Sequence, residues 1–157
     1  MTEQLPPPLP GHVTVTEADF DLAAESAALT GGREDVGGLA SFVGLCRGGD
    51  GLQALVLEHY PGMTERSLGA IRDEAARRWP LLGCTLIHRY GRIRPGENIV
   101  LVLTVSAHRV AALEACAFLI DWLKTGAPFW KSEEFADGTI RWVEAKATDD
   151  ALADRWR

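Results

Sequence analysis

The sequence predicts a single α+β domain. Runs with the alternation or the β-branched residues of strands are mixed with runs at helical spacing, without a regular alternation of strand and helix. The length of 157 residues suits one domain with a hydrophobic core. The hydrophobic fraction of 46% and the charged fraction of 24% are those of an ordinary globular protein.

The N-terminal part predicts a lead-in, a strand and a helix. Residues 1–11 are rich in proline and predict a disordered or extended lead-in, so the folded domain is expected over residues 12–157. Residues 12–16 alternate in the manner of a short strand, and the alanine-rich residues 19–29 predict a helix. Its N-cap is expected to be one of two residues, Asp19 or Thr16.

Two strands and a second helix are predicted next. Residues 39–46 and 52–60 are apolar runs on either side of the glycine-rich segment 48–51, and this arrangement predicts a hairpin. A helix capped by Thr64 is expected to follow. Pro80 ends this helix because a proline disfavours helical geometry in the residue before it.

The second half predicts one long helix and two antiparallel strand pairs. Residues 110–124 are apolar on nearly every face, which indicates a helix buried on most sides. A glycine and a proline end it within residues 125–128. Each strand pair is joined by a turn, and the pairs are 84–90 with 99–107 and 129–135 with 139–145.

The composition excludes several classes of function. A net charge of −6 argues against a general nucleic-acid-binding protein, and no apolar run approaches the length of a membrane span. The N-terminal residues lack the pattern of a signal peptide. The widely spaced Cys46, Cys84 and Cys116 indicate reduced core thiols. We therefore expect a cytoplasmic protein without a metal centre, a cofactor or a membrane partner.

The charged residues are unevenly distributed. Residues 47–109 carry nine Arg against six acidic residues. This basic middle suits a local anion site, and a solvated basic face explains it at least as well. Arginine outnumbers lysine 13 to 3, and the lysines are Lys124, Lys131 and Lys146. A desolvated ammonium group can lose its proton and react, whereas a guanidinium group effectively cannot, so these lysines are of chemical interest.

Four places carry cations that secondary structure alone does not require. Arg47 follows an apolar strand, and Arg109 stands in a first helical turn, where a cation opposes the helix dipole unless an anion intervenes. Lys124 closes the same helix, and Lys131 lies beside aromatic residues in a predicted strand. Each of these places also has an ordinary structural explanation. His108 can cap the helix or pack against it, the helix dipole favours a cation at Lys124, and Lys131 can make a cation–π contact.

Other motifs are weaker. His59 and His88 lie within predicted strands, where a histidine is more often structural than a ligand. No residues have convincing metal-ligand spacing, and the segment 48–51 matches neither a P-loop nor a dinucleotide fingerprint. The residues alone therefore indicate an α+β domain with a candidate anion site and two candidate amines.

Six segments form a specific combination when taken in order. They are Phe42-Val-Gly-Leu-Cys-Arg47, Leu57-Glu-His-Tyr-Pro-Gly-Met-Thr64, Ile87-His-Arg-Tyr-Gly91, Ser106-Ala-His-Arg109, Leu123-Lys-Thr-Gly-Ala-Pro-Phe-Trp-Lys131 and Arg141-Trp-Val-Glu-Ala145. Together they resemble the large, catalytic subunit of molybdopterin synthase, the MoaE family. The resemblance covers about residues 12–156.

The resemblance implies a sulfurtransferase of molybdenum cofactor biosynthesis. In that family a small ubiquitin-like subunit carries a thiocarboxylate on its C-terminal glycine and gives its sulfur to cyclic pyranopterin monophosphate. Two transfers build the dithiolene of molybdopterin. The implied assembly is a heterotetramer, with a homodimer of large subunits and one small subunit at each end. The implied fold is α/β hammerhead-like with an additional antiparallel β-sheet.

The same resemblance implies which residues bind the substrate. Arg47 is expected in the substrate pocket, with Leu45 and Cys46 supplying adjacent backbone. His108 and Arg109 are expected to bind the phosphate of the pterin, from the neighbouring subunit. The thiol of Cys46 is expected to take no part, because the sulfur comes from the thiocarboxylate of the partner.

The resemblance also assigns the amines. Lys124 is the implied main catalytic amine, close to the incoming thiocarboxylate. Lys131 is implied to complete the site, with Ser132 and Glu133 beside it. A phosphate-facing role for Lys146 is the weakest of these expectations.

Two other functions compete with sulfur transfer. One is a non-catalytic docking module for a ubiquitin-like partner, which would have no reason to assemble the full set of cations. The other is an unrelated phosphate-binding enzyme. This interpretation would be favoured only if the resemblance were confined to residues 106–109, whereas it covers nearly the whole chain.

Overall fold

The computed structural model describes residues 7–144 and 147–157, which form eight strands and four helices. In chain order, the elements are β1 Val13–Thr16, α1 Leu22–Thr30, β2 Gly38–Leu45, β3 Leu52–His59, α2 Met63–Arg78, β4 Leu81–Arg89, β5 Gly91–Ile93, β6 Asn98–Ser106, α3 Arg109–Thr125, β7 Phe129–Phe135, β8 Ile140–Trp142 and α4 Ala147–Asp154. The α+β class predicted from the sequence is confirmed.

The first sheet has the strand order β1-β4-β6-β2 and carries the main core. Helices α2 and α3 cover one face, and α1 covers the other. Strand β6 is buried on both faces because its side chains alternate between two clusters. Val100 and Val102 contact the α2–α3 side, whereas Leu101 and Leu103 contact the α1 side. This double burial explains the continuous apolar run that predicted the strand.

The second sheet has the order β5-β3-β7-β8, and all of its pairs are antiparallel. A small cluster of Cys46, Leu57 and Ile93 lies between its first strands and the end of β2. Strand β8 is only three residues long, shorter than predicted, and it ends the sheet among the described residues.

The predicted hairpin of β2 and β3 is wrong. Strand β2 pairs with β6 along its whole length, from Gly38 opposite Ser106 to Leu45 opposite Asn98. Strand β3 pairs with β5 and β7 in the other sheet. The apolar side chains Phe42 and Val43 explain the choice, because they pack against the two clusters on opposite faces of the first sheet. The other two predicted pairs, β4–β6 and β7–β8, are confirmed.

Two helix caps differ from the prediction. Helix α1 is capped by Asp21, whose Oδ1 accepts a hydrogen bond from the Ala24 N–H at 3.1 Å. Helix α2 has Gly62 as its N-cap, and the Glu65 carboxylate accepts from the Gly62 N–H at 2.6 Å. Thr64 is therefore already inside the helix, and its hydroxyl donates to the Tyr60 carbonyl at 2.8 Å. The helix ends before Pro80, as predicted.

Part of the predicted lead-in is held against the domain. The Pro10 carbonyl accepts from the Cys84 N–H at 2.9 Å, and the Arg72 guanidinium donates to the carbonyls of Leu9 and Pro10. Leu9 also packs against the main core. The disorder predicted for residues 1–11 therefore does not hold for Leu9 and Pro10. Residues 1–6 lie outside the described range.

The C-terminal helix α4 was not predicted. It packs on α3, where the buried Asp121 carboxylate accepts hydrogen bonds from Trp156 Nε1 at 2.6 Å and Arg155 Nε at 3.0 Å. Arg78 adds a bond from α2 to the Trp156 carbonyl at 2.6 Å. These contacts fix the C-terminal segment against α3, the helix whose last turn contains Lys124.

Candidate functional site

A narrow cavity of about 90 Å³ lies where the end of α3 and strand β7 meet the first sheet. We call it the lysine cavity. It is lined by Gly44, Leu45, His88, Ile99, Val100, Leu123, Lys124, Ala127, Phe129 and Lys131. Gly44 permits the close approach of β2 to β6, since a Cβ there would lie 2.7 Å from Val100 Cγ1. A volume this small holds only a few water-sized groups.

An open cleft of about 770 Å³ adjoins the lysine cavity and shares four lining residues with it. The shared residues are Leu45, Ile99, Lys124 and Lys131. The charged residues of the cleft comprise four cations and three carboxylates: Arg47, Lys124, Lys131, Arg141, Asp50, Glu133 and Glu144. The cleft is thus locally cationic by one charge, although the whole chain carries −6.

Two elements bring the candidate amines together. Lys124 lies in the last turn of α3, where the C-terminal end of the helix dipole favours a cation. Lys131 lies on β7, opposite Leu57 of β3. The tight connection at residues 126–128 returns the chain from the helix into the strand. Both side chains therefore line the cavity and the cleft.

Strand alternation separates the remaining predicted residues of β7. Lys131 and Glu133 line the cleft, and Phe129 lines the lysine cavity. Ser132 is buried on the opposite face and lines neither space, so the structure does not place it beside the amines. Glu133 Oε1 accepts a hydrogen bond from Arg141 Nη2 at 3.2 Å. Arg141 is thus a cleft residue without a predicted role, although it lies in one of the six resembling segments.

The loop after β2 contributes three predicted residues to the cleft. Leu45, Cys46 and Arg47 all line it. The backbone of Cys46 is already engaged, because its N–H donates to the Glu97 carbonyl at 2.9 Å and its carbonyl accepts from the Gly96 N–H at 2.7 Å. The N–H is therefore already satisfied, whereas the carbonyl oxygen keeps a second lone pair that can accept another hydrogen bond. Burial raises the pKa of the Cys46 thiol, which disfavours the nucleophilic thiolate.

His108 and Arg109 lie at the opposite end of α3 and line neither the cavity nor the cleft. Arg109 precedes Lys124 by 15 residues, which corresponds to roughly 22 Å at the rise of an α-helix. His108 is the N-cap residue, but its side chain makes no capping hydrogen bond. Both side chains are exposed. Within one copy of the chain, this pair and the amines form two separate sites.

Two exposed apolar side chains accompany that pair. Val110 and Leu113 follow Arg109 on α3 with exposures of 58% and 60%. Gly38 of β2 approaches the backbone of Arg109. Large apolar side chains grouped around cations are typical of an interaction surface.

His88 is a cavity residue that was not among the predicted site residues. It was interpreted as structural, yet it lines the lysine cavity. Its ring stacks on Phe129 with 3.8 Å between centroids and 18° between planes. Burial, with a smaller contribution from the positive charges of Lys131 and Lys124, lowers the pKa of His88 to about 4. The imidazole is therefore neutral at physiological pH.

The buried neutral imidazole predicts an acid-dependent stability. In the unfolded chain, His88 titrates near its ordinary pKa of 6.5, whereas the folded state resists protonation until about pH 4. Stability is unaffected above pH 6.5 and falls as the pH decreases from 6.5 to 4, by roughly 3 kcal/mol in total. Urea unfolding at several pH values measures this. The free energy of unfolding of His88→Phe should fall less over this pH range than that of the wild type. Equal falls in the two proteins would contradict the prediction.

Two further searches cover only the part of the chain that the structure describes. No cluster of three or more His, Cys, Asp or Glu side chains there could hold a metal ion. None of the helices in the same residues has the length and apolar character needed to cross a membrane.

Comparison with known proteins gives a consistent result. The family described as MoaE protein matches residues 15–126. The molybdopterin synthase catalytic subunit of Mesorhizobium japonicum is 60% identical over 147 residues, which cover 92% of each chain. The MoaE protein of Burkholderia ambifaria, a solved structure, has a TM-score of 0.79 at 49% identity, covering 93% of this chain and 97% of its own. The molybdopterin synthase structure from Staphylococcus aureus has a TM-score of 0.76 at 25% identity, with coverages of 83% and 95%.

Proposed function

Since this chain belongs to the MoaE family, we infer that it is the sulfur-transferring catalytic subunit of a molybdopterin synthase. Its donor is the C-terminal thiocarboxylate of a small ubiquitin-like subunit, and its acceptor is cyclic pyranopterin monophosphate. Each transfer replaces an oxygen on a side-chain carbon of the pterin by sulfur. A carbon–sulfur bond forms there, the carbon–oxygen bond breaks with its oxygen leaving as water or remaining on the phosphate, and the acyl carbon–sulfur bond of the carrier breaks. Water supplies the oxygen that replaces this sulfur, and the carrier leaves as a carboxylate.

The convergence of Lys124 and Lys131 on one narrow cavity carries this proposal. Two ammonium groups at the end of a cationic cleft attract a negatively charged thiocarboxylate. A terminal glycine carries no side chain, so an extended tail can bring its thiocarboxylate into a space of about 90 Å³. The open cleft leaves room for the pterin beside it. A docking module alone would not need paired amines at the end of the cleft.

Arg47 and Arg141 are the cleft guanidinium groups proposed to contact the acceptor. Guanidinium groups bind phosphate through paired, charge-assisted hydrogen bonds. Glu133 holds Arg141 in place through the hydrogen bond at 3.2 Å, so its proposed contribution to binding is indirect. Lys146, which was expected to face the phosphate, lies outside the described residues.

The proposed assembly places His108 and Arg109 in the site of a second copy. The pair is too far from the amines of its own chain, and the neighbouring Val110 and Leu113 offer an apolar contact surface. Two copies related by a two-fold axis would each supply the cations missing from the other. With one small subunit at each end, the proposed complex is a heterotetramer.

We place the reaction in the cytoplasm. The three cysteines are free and buried in the structure, as is usual for a reducing compartment.

One assay tests the function. The protein is mixed with thiocarboxylated small subunit and cyclic pyranopterin monophosphate, and the dithiolene product is measured. Product is expected with the thiocarboxylated carrier, whereas a carrier that ends in an ordinary carboxylate should give none. If folded components bind each other but form no product, the docking module becomes the better interpretation.

A further inference from the structure

The position of His88 suggests a role beyond packing. It is the penultimate residue of β4, and only 7% of its surface is exposed. Stacking on Phe129 fixes the ring plane, because Phe129 is itself held in the β7–β3 ladder opposite His59. A histidine selected only to fill space could be replaced by another ring. Its polar atoms must therefore be accounted for.

One ring nitrogen has an identified partner. Nδ1 lies 2.8 Å from the Arg89 carbonyl oxygen. A carbonyl can only accept, so Nδ1 must carry the hydrogen. In a neutral imidazole the other nitrogen, Nε2, then carries a lone pair and can only accept. The Arg89 carbonyl thus determines the tautomer, and the neutral state follows from burial beside positive charge.

The titratable neighbours that act on this ring come from three elements. Lys131 on β7 has the largest electrostatic effect on His88, followed by Lys124 on α3 and His59 on β3. The two lysines line the same cavity as the imidazole. The wall of the lysine cavity thus contains a neutral acceptor, and the two ammonium groups that line the same cavity are donors of suitable chemistry.

We propose that His88 is a positioning residue for sulfur transfer, whose Nε2 accepts a hydrogen bond from the Lys131 ammonium and directs it toward the thiocarboxylate. This rests on the proposed function. A neutral acceptor orients the ammonium without cancelling its charge, whereas a carboxylate in the same place would neutralise it and repel the donor. Lys131 is thereby kept protonated in a confined site. His88 itself neither touches the reacting atoms nor exchanges a proton.

Kinetics of His88→Phe in the complete synthase test the proposal. Phenylalanine keeps the stacking on Phe129 but has no acceptor. We expect kcat to fall about 10-fold, as for loss of a charge-assisted hydrogen bond, with KM for the small subunit within about 2-fold. The limb of the pH–rate profile that reports Lys131 should move to lower pH, because the ammonium loses its acceptor. His88→Gln, whose side-chain carbonyl can accept, should recover most of the rate.

His59→Phe is the matched control. His59 belongs to the same ring cluster, 4.5 Å from Tyr90 and 6.0 Å from Phe129 between centroids, but it does not line the lysine cavity. It should leave kcat and the pH profile unchanged. Equal rates for wild type and His88→Phe would overturn the proposal, and so would equal losses in His88→Phe and His88→Gln.

A measurement without turnover separates this inference from the proposed function. Nitrogen NMR of the isolated chain should show His88 protonated at Nδ1 and unprotonated at Nε2 at neutral pH. A proton on Nε2 would overturn the proposal even if the enzyme is active. If the function itself is wrong, the wild-type protein will form no dithiolene, whatever the tautomer of His88.

Discussion

Lys124→Ala is expected to abolish conversion of cyclic pyranopterin monophosphate to molybdopterin. The substitution removes one of two ammonium groups from the cavity proposed to receive the thiocarboxylate. Loss of a positioned acid, base or charge of this kind lowers a rate by about 10²-fold or more. Single-turnover formation of the dithiolene, with saturating thiocarboxylated small subunit, measures the effect.

The fold should survive this substitution. Lys124 is exposed in the last turn of α3, where a cation contributes only about 0.3–1 kcal/mol through the helix dipole. Thermal unfolding and binding of the small subunit should therefore remain close to wild type. Arg66→Ala is a matched control, because it removes an exposed cation of α2 that lines neither the cavity nor the cleft. Near-normal turnover by Lys124→Ala would refute the assignment.

Lys124→Arg distinguishes the roles open to this amine. Arginine keeps the positive charge but cannot give up its proton at physiological pH. A variant that retains much of the rate would identify Lys124 as an electrostatic anchor. A loss as deep as that of alanine would identify proton transfer or nucleophilic attack.

The sequence predicted most elements of this fold but not all of their partners. The pattern of apolar residues identifies a strand because it reflects which side chains of that segment are buried. Strand β6 is buried on both faces, and its sequence is accordingly a continuous apolar run. Strand pairing, in contrast, depends on contacts between residues that are distant in sequence. The glycine-rich turn at 48–51 therefore suggested a hairpin of β2 and β3, whereas β2 pairs with β6 and β3 pairs with β7. Helix α4 was missed because its docking depends on Asp121, which lies far earlier in the chain.

The site residues, too, were predicted where a motif identified them and missed where their contacts are distant in sequence. Lys124, Lys131 and Arg47 were identified from motifs, and the structure brings them to one cleft. Ser132 was included because the family resemblance implies it beside Lys131, yet alternation along β7 turns it to the other face. His88 was classed as structural because a histidine within a strand usually is, and its stacking partner Phe129 lies on another strand, 41 residues later. Adjacency in sequence is a poor guide to adjacency in a sheet.

Mixing two inactive variants should restore activity if the site is shared between copies. Arg109→Ala should greatly weaken turnover, because it removes a proposed phosphate ligand. Arg109 cannot reach Lys124 of its own chain, since 15 residues of helix separate them. Equal amounts of Arg109→Ala and Lys124→Ala, refolded together, form mixed dimers in which one site has both cations. Half of the dimers are mixed, so about a quarter of wild-type activity is expected.

A second mixture makes the test quantitative. Wild-type chain is refolded with an equal amount of the double variant Arg109→Ala/Lys124→Ala. If Arg109 serves the neighbouring site, mixed dimers are inactive and about a quarter of the activity remains, all of it from wild-type dimers. If Arg109 serves its own site, each wild-type chain stays active and about half remains. In that second case the two single variants would show no recovery when mixed, so the two mixtures together decide whether a complete site requires two copies of this chain.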